Sequence, residues 1–350
     1  MHVVRRSLLL LSLGYLTCAG VACSPTDSES ARSPDATRVN GAGATFPAPL
    51  YEKWIAEYAK SHPDVKITYA AVGSGEGIRR FVAESVDFGA SDSAMKDAEI
   101  AAVGRGVQLV PTTAGSIVLA YNLPGITGEL RLSRQVYVDI FLGKITSWND
   151  IRIKQLNPEL DLPKIGIAVV ARLDSSGTTY AFTNHLSEIS DTWSSEGPGC
   201  AKLVDWPGSA MLANGNEGVA GQIRRTPGAI GYVEFGTASR AGLSMAALEN
   251  RAGNFLTPTG ESGMATLRNA PLPEDLIAFF PDPPGDDSYP IVTYTWLLLY
   301  RHYDDSDIAR ELKAFVTWCL ADGQQYNEQL GYVRLTPEVA QRAQAAVDAL

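Results

Sequence analysis

Apolar positions along this chain switch repeatedly between a two-residue and a helical period. A first strand ends in "GAGA", and a helix then runs from Thr45-Phe46-Pro47 to about Ser61, with Leu50, Trp54, Ile55 and Tyr58 on its inner face. "VKITYAAV" reads as a strand, "GSGEG" as a loop, "IRRFVAE" as a short helix and "VDFGAS" as another strand, with Asp92 just past its end. The run "SIVLAYNLPG" leads into a middle region where residues 165–170 form a buried strand. There a helix from Thr178 to Ile189 carries Tyr180, Phe182, Leu186 and Ile189 at helical spacing. "IVTYTWLLLY" is a strand, and Asp307 to Leu330 and Pro337 to Leu350 are amphipathic helices. Such alternation predicts α/β organisation with a mainly parallel sheet and a site at the carboxyl ends of its strands.

Four strand-to-helix loops are alike: "GATFP" (43–47), "GSGEG" (73–77), "GASDSA" (89–94) and "RLDSSGT" (172–178). Each offers a hydroxyl and exposed amides. In the last, Ser175 and Ser176 suit an N-cap, and the free N–H groups of Gly177 and Thr178 lie where a helix favours an anion, with Arg172 alongside. A serine-capped helix with a surface arginine fits that segment equally well. Asp92 is either a cap for the next helix or a ligand of a different kind. An ionised carboxylate only accepts, so it suits an anion that still carries a proton, as phosphate does near neutral pH and sulfate does not.

Length and composition narrow the class. The 350 residues suffice for two lobes, and 45% hydrophobic with 19% charged residues is ordinary for a globular protein. Two arginines, a short apolar core from Ser7 to Leu16 and small residues up to Cys23 predict a signal peptide over 1–22. The "GVAC" box resembles a lipoprotein cleavage site, which makes Cys23 the lipidated residue. A polar stretch then forms a flexible tether over 23–38, reaching roughly 20 Å. Cleavage removes Arg5 and Arg6, so the formal charge of −10 becomes −10 − 2 = −12. That balance disfavours nucleic acid. Of the cysteines beyond Cys23, Cys200 and Cys319 suit a disulfide or two free thiols equally. The three histidines past the leader, His62, His185 and His302, lie outside the four loops, and no metal-binding or nucleophile motif is present, so neither an enzyme, a cofactor nor a metal is expected.

The strings "NGAGATFPAPLYEKW", "AVGSGEGI", "VDFGASD", "FLGKITSWND", "IAVVARLDSSGTTYAFTNHL" and "TPGAIGYVEF", in that order, resemble the periplasmic phosphate-binding protein, the substrate-binding subunit of the bacterial high-affinity phosphate ABC transporter. The resemblance implies a two-lobe periplasmic binding protein fold of type II character, each lobe a mixed sheet flanked by helices and joined by crossover hinge strands. Lobe 1 spans 39–113 plus 290–350, and lobe 2 spans 114–289. It also implies a phosphate site of Thr45, Phe46, Ser74, Asp92, Arg172, Ser176, Gly177 and Thr178, with Asp174 holding Arg172. Glu76 departs from the small residues expected in its loop and is expected to face solvent at the cleft rim; pointing inward, it would either weaken anion binding or need its own cation, which Arg79 or Arg80 could provide. The expected activity is phosphate capture outside the cytoplasmic membrane and delivery to permease subunits, by a monomer tethered through lipid. Alternatives are a phosphate sensor or scavenger, a binder of another oxyanion and, more remotely, a phosphate-ester hydrolase.

Overall fold

The computed structural model describes residues 36–269 and 272–350. The expected signal peptide, Cys23 and nearly all of the tether lie outside the described residues.

One path of hydrogen-bonded strands runs through the molecule. Thr37–Gly43 lies between Val65–Ala71 and Phe88–Ser91, parallel to both. Val292–Tyr300 pairs antiparallel with Phe88–Ser91 on one side and with Val107–Tyr121 on the other. Ala229–Glu234 pairs antiparallel with Ile117–Tyr121, and Ala168–Arg172 and Met211–Ala213 continue parallel to it. The sheet is thus mixed rather than mainly parallel. The three antiparallel junctions along this path arise because the chain leaves the first half along Val107–Tyr121 and returns along Val292–Tyr300.

Val107–Tyr121 is long enough to serve both halves: Val107 to Ser116 pair with Val292–Tyr300, and Ile117 to Tyr121 with Ala229–Glu234. Gly115, within it, is pressed against the Phe46 ring, where a Cβ would sit 2.8 Å from the ring. Five of the six tryptophans lie in the core: Trp54, Trp148, Trp193 and Trp296 are fully buried and Trp206 nearly so, while Trp318 packs against it partly buried.

Several boundaries differ from the sequence expectation for local physical reasons. The first helix ends at Tyr58 and the buried strand spans Ala168–Arg172. "GSGEG" is not a loop but the first turn of the helix Ser74–Val82, entered through Gly73 at φ +93°. Helix Ser306–Leu320 stops well before Leu330, and two 3₁₀ turns follow. Gly323, in the first of these, accepts a 2.7 Å hydrogen bond from the Trp54 indole, a tertiary contact that periodicity does not reveal. Cys200 is exposed and Cys319 buried, both as free thiols.

Candidate functional site

The carboxyl ends of the parallel strands in both halves converge. Thr45 follows Thr37–Gly43, Ser74 follows Val65–Ala71, and Asp92 follows Phe88–Ser91. From the other half come Arg172 and Ser176 to Thr178, after Ala168–Arg172. This is the crevice where strand order switches in an open α/β sheet.

The halves are in direct contact there. The Gly177 amide donates to Ser74 Oγ at 3.0 Å, the Gly75 amide to the Ser175 carbonyl at 2.9 Å, and Thr178 Oγ1 lies 3.5 Å from Asp92 Oδ2. Gly177 permits this approach, since a Cβ would fall 2.5 Å from Ser74 Oγ and 2.6 Å from Asp92 Cβ. Ser74, Asp92, Arg172, Ser176 and Thr178 are all buried.

Arg172 is the only arginine or lysine among the buried charged residues of the described chain. Its Nε donates to Asp174 Oδ1 at 2.8 Å and its Nη2 to Asp174 Oδ2, while the Gly215 amide donates to the same carboxylate at 2.9 Å. Nη1 is buried with no hydrogen-bond partner. Burial pushes the Asp174 carboxyl up, but hydrogen bonds and charge from Arg172 outweigh that and hold it below the usual range. The carboxylate thus fixes two faces of a planar fork and leaves the third donor pair unsatisfied, which is costly unless an acceptor meets it.

The hydroxyls share one property. Ser74 Oγ accepts from the Asp92 and Gly177 amides, and Ser176 Oγ accepts from the Thr179 amide as the helix N-cap. Thr45 Oγ1 accepts from the backbone and side-chain nitrogens of Asn216, at 3.3 and 3.2 Å. A hydroxyl whose acceptor capacity is taken by N–H groups has its own hydrogen left to give. The cluster is therefore biased toward donation, as an anion requires.

Asp92 is the exception. Thr295 Oγ1 donates to its Oδ1 at 2.8 Å. Burial pushes its carboxyl up to about 7, against the Thr295 hydrogen bond and the charge of Arg172. Asp92 therefore holds or releases a proton near neutrality. Phe46 is buried, its carbonyl accepting from Tyr332 OH at 2.6 Å, with Thr45 beside it at the cleft.

Glu76 does not enter the cluster; it pairs with Arg79 at 2.6 Å and Arg80 at 2.7 Å. His185 lies outside the cluster and is fully buried, in contact with Tyr137 OH at 2.7 Å and with the Pro281 carbonyl. Burial lowers its pKa to about 4, leaving it neutral.

Sequence reasoning missed Asn216, Thr295 and Tyr232. Tyr232 OH accepts from the Arg172 amide at 3.1 Å and bonds Thr179 Oγ1 at 2.7 Å. The turn "ANGNEG" after Met211–Ala213 is a further strand-to-helix loop of the same kind and was the available signal for Asn216. For Thr295 the signal was a threonine pair inside an otherwise apolar strand.

Comparison with known proteins follows the same lines. Residues 28–322 match the PBP superfamily domain. The chain is 40% identical over 321 residues to the phosphate-binding protein PstS of Pasteurella multocida, covering 91% of this chain and 92% of that one. It is 39% identical to PstS of Methanocaldococcus jannaschii, covering 95% and 90%. A high affinity periplasmic phosphate-binding protein solved with phosphate bound superposes with a TM-score of 0.76 at 21% identity, over 88% of this chain and 93% of that one. The phosphate-binding protein from Stenotrophomonas maltophilia does so with a TM-score of 0.71 at 22% identity, over 89% and 94%. At those identities the structural likeness speaks for the two-domain fold.

Proposed function

This chain belongs to the PstS family of phosphate-binding proteins, and from that premise we propose that its cleft closes on inorganic phosphate and delivers it to an ABC importer. The observation that carries the residue-level reading is the buried Arg172 guanidinium, fixed by Asp174 with Nη1 unpaired, in a cluster of hydroxyls biased to donate. Thr45, Phe46, Ser74 and Asp92 bind from lobe 1, and Arg172, Ser176, Gly177 and Thr178 from lobe 2. Val107–Tyr121 and Val292–Tyr300 act as the hinge, with lobe 1 at 39–113 plus 290–350 and lobe 2 at 114–289. Contacts spanning both lobes stabilise the closed state only to the extent that the anion prefers it.

The mechanism is binding without turnover. Phosphate carries net negative charge, Arg172 supplies the compensating charge and the neutral donors supply fit. Asp92 and the ligand share one proton: an ionised Asp92 accepts from a P–O–H group, whereas sulfate offers no hydrogen and leaves two charges opposed. Outside the membrane, the leader is removed and Cys23 anchors a monomer through lipid.

Asp92→Asn should admit sulfate, because an amide donates where the carboxylate cannot. Calorimetric titration checks this; continued rejection of sulfate by the variant contradicts the proton-sharing role. The sign of the stability effect follows from the raised pKa values. Asp92 and Glu234, both lifted to about 7 chiefly by burial, hold protons more tightly when folded than when unfolded. Their contribution to stability is complete below about 4 and is lost as pH rises through about 7. The ligand-free protein should therefore melt at lower temperature at pH ~8 than at pH ~5, and Glu234→Gln, which lies outside the closing contact, should reduce that difference. An unchanged pH dependence in that variant would contradict the assignment to Glu234.

Delivery is tested in cells deprived of their own high-affinity phosphate uptake. Expression with its permease should restore uptake at limiting phosphate; binding without restored uptake would favour a sensor or scavenger.

A further inference from the structure

Asn216 stands at the first turn of the helix Gly215–Arg225, 1% exposed, and makes contact with both lobes at once. Its side-chain oxygen accepts from the Glu234 amide at 3.0 Å, which settles the orientation of the carboxamide and turns Nδ2 toward the cleft. From there Nδ2 donates to Thr45 Oγ1 and to Thr178 Oγ1, each at 3.2 Å. The Asn216 backbone amide, one of the N–H groups that a first helical turn leaves without an intrahelical acceptor, donates to Thr45 Oγ1 as well, at 3.3 Å. Gly215, at φ +67°, brings this turn against Thr45, where a Cβ would lie 3.2 Å from Thr45 Cγ2. The Gly215 amide ties the same turn to Asp174, and through it to Arg172.

We infer that Asn216 is a positioning and specificity residue for the anion: it fills the acceptor sites of the Thr45 hydroxyl across the closed cleft, so that Thr45 can only donate to the bound ligand. A threonine hydroxyl has one hydrogen and two lone pairs, and free in a site it turns to suit either a donor or an acceptor. With two N–H groups on its oxygen, that freedom is gone. Thr178 receives the same treatment from one side. The Thr45 hydroxyl is thereby committed to an unprotonated oxygen, Thr178 keeps one free lone pair with its hydroxyl 3.5 Å from Asp92 Oδ2, and Asp92 is left as the carboxylate placed to take a proton from the ligand. Because the contact with Thr45 joins residues of opposite lobes, it forms on closure and is broken on opening. Asn216 therefore acts on ligand release rather than capture. This inference rests on the reading of the cleft as a phosphate site.

The test uses the mature chain, stripped of ligand, with phosphate as the probe. Stopped-flow kinetics are measured for the wild type, Asn216→Ala, Thr45→Val and the double variant. Loss of the one side-chain hydrogen bond that spans the lobes, Nδ2 to Thr45 Oγ1, should raise the dissociation rate of Asn216→Ala about threefold to tenfold, with the association rate changed by no more than about twofold. The double variant should bind little more weakly than Thr45→Val alone, because most of the effect of Asn216 passes through that hydroxyl.

Asn216→Asp gives a second readout that packing does not move. It keeps the shape and the acceptor for the Glu234 amide but puts an acceptor in place of Nδ2. The carboxylate then takes the Thr45 hydrogen and repels the anion, and protonation restores the donor. Its affinity deficit relative to wild type should therefore shrink as pH falls. Neighbouring charges enter both proteins alike: Glu217 on the same helix, Glu234 at the end of Ala229–Glu234, Arg240 on the helix Phe235–Arg240 that follows it, Asp174 and Arg172 through Gly215, and Asp92 through Thr178. Parallel measurement of the wild type removes their titration. Unaltered dissociation in Asn216→Ala, simple additivity with Thr45→Val, or a pH-independent deficit in Asn216→Asp would overturn the inference. Failure of the wild type to bind phosphate would instead overturn the reading on which it rests.

Discussion

Arg172→Ala should weaken phosphate binding by about 3–5 kcal/mol, roughly a hundredfold to a few thousandfold, the scale on which one partner of a buried charged contact is lost. The size follows from where the guanidinium sits. It is 2% exposed and two of its nitrogens are committed to Asp174, so on the proposed reading the one remaining nitrogen, Nη1, would meet the ligand without water between. Truncation also leaves Asp174 facing the anion uncompensated. Arg172→Ala with Asp174→Ala should therefore recover part of the loss, and the comparison separates lost attraction from added repulsion. Arg172→Lys keeps the charge but not the fork, and should fall between wild type and alanine because a single ammonium cannot satisfy both carboxylate and ligand. Calorimetric titration, with melting curves as a check on folding, measures all three. Phosphate affinity within tenfold of wild type for Arg172→Ala would contradict its role.

Gly177→Ala should abolish closure while leaving each lobe intact. The added methyl group meets Ser74 Oγ at 2.5 Å, Asp92 Cβ at 2.6 Å and Asp92 Cα at 2.8 Å, all from the opposite half of the sheet. Two of those atoms are anchored to the strand end after Phe88–Ser91 and cannot swing away as a long side chain would. Overpacking of this kind costs about 1–3 kcal/mol, and here the cost falls on the closed state alone, since Gly177 has a helical neighbourhood that alanine adopts readily. The melting temperature without ligand should shift little or rise, phosphate affinity should drop by about tenfold to a hundredfold, and small-angle scattering should show no compaction on adding phosphate. Normal compaction with normal affinity would mean that the contact is not a condition of closure.

Legibility in the sequence followed chain locality. The loops after Thr37–Gly43, Phe88–Ser91 and Ala168–Arg172 were readable because each carries its hydroxyl and glycine, and the last two their charge, within a few residues of a strand end. The relation between Arg172 and Asp174 is similarly local, two positions apart. What was missed depends on partners far along the chain. Thr295 meets Asp92 from a separation of 203 residues, and Asn216 meets Thr45 from 171. Neither spacing leaves a periodic trace. The antiparallel entry of Val292–Tyr300 into the sheet was hidden for the same reason: a strand's own pattern states which faces are buried, not which neighbour it pairs with or in what direction. Glycines misled at "GSGEG", where three of them suggested a loop. Gly75 and Gly77 are helical positions kept small by close neighbours, a Gly75 Cβ lying 2.2 Å from Ser175 Oγ and a Gly77 Cβ 2.4 Å from Gly43 Cα. Helical spacing alone likewise could not show that the segment around Pro281 covers His185.

The most direct test of the account is titration calorimetry of the chain from Ser24 onward, stripped of endogenous ligand by unfolding and refolding, with phosphate and then sulfate at pH ~7. The account predicts phosphate binding at micromolar affinity or tighter, about −8 kcal/mol or better, and no heat from sulfate. Folded protein that binds neither anion, or that binds sulfate as well as phosphate, would contradict it.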